Sequence, residues 1–97
     1  MSPPSSTLTS TVVVPERVLF RDLAGEGVLL ELDSGRYFGL NETGTRMWRL
    51  LVQHGRVEAA LEALLEEYEV PRDRLREELL EFVDALLAQR LLDLRET

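Results

Sequence analysis

The hydrophobic period of this chain changes once, at Asn41, and that switch decides what the chain can fold into. Before it apolar residues alternate; after it they recur every three to four positions. In the alternating run from Arg17 to Asp22, Val18 and Phe20 share one face, and Arg17, Leu19 and Arg21 share the other. "LAGEG" turns the chain, and "VLLEL" follows with Val28, Leu30 and Leu32 on one face, Leu29 and Glu31 on the other. After the turn "DSG", the third run is "RYFGL", in which Phe38 and Leu40 join the buried set and Tyr37 lies opposite. The pattern predicts a three-stranded antiparallel meander.

Beyond Leu40 the chain reads as helix. Asn41 suits an N-cap, since its side-chain oxygen accepts from an orphan amide of the first turn. Met47 and Leu51, with Trp48 and Val52 beside them, form an i, i+4 stripe that Gly55 terminates. A second helix runs from about Val57 to Tyr68, with Val57, Leu61, Leu64 and Tyr68 on one face. Pro71 ends that helix and opens a third, which continues to about Arg90. Trp48, Met47, Leu51, Leu61 and Leu64 are assigned to the core. In the third helix Phe82, Leu75, Leu86, Leu79, Val83, Leu87, Leu80 and Leu91 fill an arc of about 180°, wider than the roughly 100° of an ordinary core-facing stripe. Either the helix touches the sheet and both other helices, or one flank of the arc serves another partner. Its opposite face carries Asp84, Glu77, Glu81 and Glu78.

The expected class is therefore α+β and winged helix-turn-helix-like, with a three-stranded antiparallel sheet followed by three helices. Residues 1–14 are expected to be a flexible arm, because "MSPPSSTLTST" holds too little apolar surface to offset the cost of ordering. Residues 15–94 form one domain, and 97 residues are too few to enclose a deep substrate cavity. No apolar run approaches the roughly 20 residues of a membrane span, and the start lacks a signal-peptide pattern, so a cytoplasmic protein without membrane partners is expected. The net charge of −7 opposes a phosphate backbone, so no nucleic-acid partner is expected. With no Cys and one His, no nucleophile, base and orienting group can be assembled, nor a four-ligand zinc site. His54 reads as a surface or capping residue, and Glu66, Glu67 and Glu69 as a solvated helix end. No catalytic residue, metal or cofactor is expected.

Several stretches carry a resemblance: "PERVLFRD", "VLLEL", "GRYFGLNETG", Trp48, "LEEYEV" and "LLEFVDALLAQRLLDL". Over about residues 15 to 94 they resemble the PqqD-like family, recognition domains for the leader peptides of ribosomally made, post-translationally modified peptides. The most specific element is the junction "GRYFGLNETG", followed by Leu79, Phe82, Val83 and Leu86 in the final helix. The chain departs from the family pattern at Arg90, where Gly usually precedes the terminal Leu. Within the family it looks most like the free-standing leader-recognition proteins of lasso-peptide pathways. The resemblance implies partners: the leader of a precursor peptide, a leader-cleaving cysteine protease, and a cyclase. A protein presenting its precursor to a radical enzyme, as in pyrroloquinoline quinone synthesis, is the nearest alternative; a winged-helix nucleic-acid regulator and an oligomer subunit are others.

The resemblance places the leader between the third strand and the third helix. If Arg36, Tyr37, Phe38, Gly39 and Leu40 form a sheet edge, their backbone can accept the leader as a fourth strand, with Gly39 allowing close approach. Leu75, Leu79, Leu80 and Val83 are the expected pocket floor with Phe38 contributing, and Arg76 the expected partner of a leader carboxylate. Core packing is the competing role for each apolar side chain. Tyr37 is either a docking point for a downstream enzyme or a half-exposed strand residue, and which of Phe38 and Tyr37 faces the leader stays open.

Overall fold

The computed structural model describes residues 5–96. A single helical turn, α1 (Ser5–Leu8), leads into strand β1 (Ser10–Val13); strands β2 (Val18–Leu23), β3 (Glu26–Glu31) and β4 (Arg36–Gly39) follow. Helices α2 (Glu42–His54), α3 (Val57–Glu67) and α4 (Arg72–Ala88) come next, and the short strand β5 (Asp93–Glu96) closes the fold. The order β2-β3-β4 is an antiparallel meander, so three strands are followed by three helices as the sequence predicts. Among the described residues no helix is long and apolar enough to cross a membrane.

The expected flexible arm is corrected over its described part, while residues 1–4 lie outside the described residues. β1 pairs antiparallel with β5, Ser10 opposite Glu96 and Val13 opposite Asp93. Leu8 and Val12 are buried, and Val12 N–H donates to Gly55 O at 2.7 Å. Composition alone misses this because the partner strand comes from the other end of the chain. Burial that no local window contains makes a Ser- and Thr-rich segment worth ordering.

Local chemistry explains the helix boundaries. The Asn41 side chain accepts from Gly44 N–H at 2.7 Å, and Gly55, at φ 82°, lets its N–H reach Leu51 O at 2.8 Å. Pro71 stands one place outside α4, as its N-cap residue. α2, α3 and α4 share one core in which Trp48, Met47, Leu51, Leu61, Leu64, Leu79 and Val83 are all buried.

The meander meets this core with the face of β3 that looked less apolar. Phe20 pairs with Leu29 and Leu29 with Phe38, so Leu29 and Glu31 point inward, whereas Leu32 is half exposed on the outer face. Gly27 explains the choice. The Phe20 ring approaches it closely through Cε1 and Cζ and stacks on Trp48, ring centroids 6.3 Å apart with planes inclined 20°. Gly27 N–H donates to the buried Thr45 hydroxyl at 2.7 Å, tying β3 to the first turns of α2. A Cβ at Gly27 would overlap the Phe20 ring and come within 3.2 Å of Thr45 Oγ1.

Two substitutions test this junction by urea denaturation. Thr45→Val orphans the buried Gly27 amide and should cost about 1–3 kcal/mol, with Thr45→Ser recovering most of the loss. Gly27→Ala should cost about 1–3 kcal/mol by forcing the Phe20 ring off Trp48. Gly39→Ala, where a Cβ meets nothing within 4 Å, should change stability by less than about 0.5 kcal/mol.

Candidate functional site

Among the described residues β4 is an edge of the meander, with β3 on one side and no strand on the other. Leu40 N–H donates to Gly27 O at 2.8 Å, so alternation points the backbone groups of Phe38 and Arg36 toward β3 as well. Tyr37 and Gly39 therefore turn their N–H and C=O groups to the open side. Side chains divide the other way: Arg36, Phe38 and Leu40 take the inner face, while Tyr37, 74% exposed, stands on the outer one. Phe38 is half-buried against the core.

α4 faces this edge across a cleft. Arg36 Nη2 donates to Gln89 Oε1 at 3.1 Å, and the Arg36 guanidinium lies 4.9 Å from the centre of the Phe38 ring. At the other end Phe82 comes so close to α2 that a Cβ on Gly44 would sit 3.3 Å from its ring. Phe82 and Gln89 thus mark the flank of α4 that looks toward β4. The basic end of the cleft is a hollow of about 450 Å³ among Arg17, Glu31, Asp33, Ser34, Arg36, Phe38, Gln89 and Arg90. Beyond Phe82, at the far end, a separate hollow of about 390 Å³ lies between α4 and the start of α2, among Asn41, Thr43, Gly44, Met47, Glu78, Glu81 and Phe82, with no β4 residue in its lining.

The structure brings together only part of the sequence-predicted site. Arg36, Phe38 and Leu40 line the strand side, and Gly39 and Tyr37 contribute backbone to the edge. Leu75, Leu79 and Val83, expected as a pocket floor, are at most 3% exposed and belong to the core shared with α2 and α3. Leu80 precedes Gln89 by nine positions, which places it about 180° around the helix, and Arg76 lies about 120° from Phe82. Both sit away from the β4-facing flank. Gly39 is open on its side-chain face, so close approach does not require glycine there. Phe82, Gln89, Arg90 and Arg17 are additions. Phe82 was visible in the sequence as the other end of the 180° apolar arc; which end faced β4 was not.

Charge is uneven along the cleft. Arg17 Nε lies 3.4 Å from Glu31 Oε2, and Arg17 Nη2 donates to Arg90 O at 3.0 Å. Glu31 also accepts from the Ser34 hydroxyl at 2.5 Å and from the Ser34 and Asp33 amides at 2.8 and 3.2 Å. These bonds, the Ser34 hydroxyl foremost and the Arg17 guanidinium least, hold its carboxyl below the usual carboxylate range against the opposing effect of burial. Glu78 and Glu81 make the far end acidic. Among the described residues no group of three or more His, Cys, Asp or Glu side chains gathers as a metal site requires. What the arrangement offers is hydrogen bonding to extended backbone beside an apolar, charge-graded wall.

The family model described as coenzyme PQQ synthesis protein D (PqqD) matches residues 26–92. Among solved structures, TbiB1 in complex with the TbiA(beta) leader peptide is 36% identical, with a TM-score of 0.78 over 82% of this chain and 93% of that one. A lasso peptide synthetase B1 complexed with the leader peptide is 22% identical, with a TM-score of 0.78 over 86% of this chain and 98% of that one; it shows the shared fold. None of the curated proteins matches the chain.

Glu31 gives the basic end a pH signature. Its pKa is lowered on folding, so its contribution is present above the unfolded value, near 4.5, and is lost as pH falls through the folded one. Glu31→Gln should be less stable than the parent at pH 7 and should lose less stability between about pH 5 and pH 3. Thermal melts across that range check it.

Proposed function

The chain belongs to the PqqD family, and from that premise we propose that it is a non-catalytic adaptor that binds the leader of a precursor peptide as an added strand on β4. The observation that carries this reading is the open edge of β4 facing α4 across the cleft. Tyr37 and Gly39 offer two donors and two acceptors to a guest backbone, while Phe38, Leu40 and Phe82 give its side chains apolar ground. The complex of TbiB1 with a leader peptide supports the same role.

The magnitudes fit a carrier that must release its cargo. Two apolar anchors at about 1.5–3 kcal/mol and four net hydrogen bonds at about 1 kcal/mol sum to roughly 7–10 kcal/mol before the leader is ordered. With ordering of the leader costing about 2 kcal/mol, the upper part of that range corresponds to low micromolar affinity. In this reading the bound leader is presented to a leader-cleaving cysteine protease, after which a cyclase closes the ring. The resemblance of "GRYFGLN" to lasso-peptide leader-recognition proteins favours the lasso pathway over presentation to a radical enzyme. The acidic α3, with Glu58, Glu62, Glu66 and Glu67, suits neither DNA nor RNA.

Titration of the full chain with the fluorescently labelled precursor encoded beside it should saturate in the low micromolar range. Gly39→Pro removes an outward N–H without taking a bond from β3, so it should weaken binding about 5- to 10-fold while the circular dichroism spectrum stays unchanged. Phe82→Ala should weaken it by a similar factor. Absence of saturable binding to the parent protein overturns the reading.

A further inference from the structure

At the basic end of the cleft the backbone does something that sequence economy disfavours. α4 ends in a Schellman motif: Leu91 N–H donates to Leu86 O at 2.9 Å and Arg90 N–H to Leu87 O at 3.1 Å. The residue between these turns is held in the left-handed region, and it is Arg90, at φ 61°. Glycine fits that conformation without the steric penalty a Cβ brings. A strained residue that helix termination does not require points to another use for its side chain. Arg90 lines the hollow shared with Arg36, Gln89 and Phe38, in continuation of the β4 edge.

The guanidiniums around this hollow are not equally occupied. Arg17 is engaged by Glu31 and by Arg90 O, and Arg36 by Gln89 and the Phe38 ring. The Arg90 guanidinium has no hydrogen-bond or ion-pair partner among the described residues. Glu31, the nearest buried acid, already receives Ser34, Asp33 and Arg17. A chain of net charge −7 thus keeps an uncompensated guanidinium at one end of its peptide cleft; at the other, Glu78 is paired with Arg74 at 3.3 Å and Glu81 carries the negative charge.

We propose that Arg90, with Arg36, forms a carboxylate subsite that reads an Asp or Glu side chain of the bound leader and fixes the leader's register on β4. This rests on the leader-binding reading above and adds a specificity determinant to it. The fork of a guanidinium matches a carboxylate in two parallel hydrogen bonds, and Arg36, released from Gln89, can supply the second. Glu81 repels the same acid at the far end, so a leader displaced along the strand loses the contact and meets like charge.

The test lets the cleft choose its own peptides. A displayed library of random 20-residue peptides is selected on the full chain, and one selected binder is then made with Glu, Gln or Lys at its enriched position. The expected result is Asp or Glu enriched at a single position despite the overall repulsion of acids by an acidic protein. Arg90→Gly should bind the Glu peptide about 10-fold more weakly, bind the Gln peptide unchanged, and melt about 2–5 °C higher because the left-handed strain is gone. Arg90→Gln should show the same binding loss without the rise in Tm. Binders without acid enrichment, or variants that treat the Glu and Gln peptides alike, overturn the subsite and leave the leader-binding reading standing. Failure of the parent protein to select any binder, together with failure to bind its own precursor, overturns both.

Discussion

A buried hydrogen bond from Gly27 N–H to the Thr45 hydroxyl, under the Phe20 and Trp48 rings, fixes where the meander meets the helices. Because Gly27 has no side chain, the Phe20 ring can come close against it. Because Thr45 stands in the first turns of α2, the bond also fixes where β4 ends and the Asn41 cap begins. Everything at the cleft inherits this placement. β4 must leave β3 at Leu40, so its unpaired edge is presented to α4 and not to solvent alone. A polar contact in an apolar junction also carries a directional demand that packing lacks, since an unsatisfied amide there is expensive.

The cleft is shaped by what α4 has already committed to the core. Leu75, Leu79, Val83 and Leu86 are buried against the rest of the fold, which leaves Phe82 and Gln89 on one flank and Leu80 on the other. A guest strand therefore finds a modest apolar wall and a backbone ladder in place of a deep pocket. In the proposed reading such a site would tolerate many sequences along its length and discriminate at its ends, where charge is concentrated.

The periodic features were legible in the sequence. The switch at Asn41, its capping bond, the stop at Gly55 and the three helices all rest on interactions within one turn of the chain, and the structure contains them. What was not legible depends on distant partners. β1 reads as arm because β5, which completes it, lies at the far terminus. β3 turns its less apolar face inward because Gly27 must sit under Phe20 and because Glu31 is satisfied by Ser34 and Arg17. The width of the apolar arc of α4 was legible but not which of its ends faces β4: periodicity gives the width of a face, and only the tertiary register says which flank meets β4. Arg90 lay in plain view as a residue where glycine is usual, but its meaning depended on a φ angle and on Arg36, more than fifty residues earlier in the chain.

Residue-resolved amide hydrogen exchange with and without the precursor tests the central claim most directly, because the two outward amides of β4 are the groups a guest strand must bind. Adding the precursor should slow exchange at Tyr37 and Gly39 by about 10-fold or more, with little change at Phe38, whose amide already faces β3. If Tyr37 and Gly39 exchange as fast in the saturated complex as in the free protein, the leader does not add to β4 and the account is wrong.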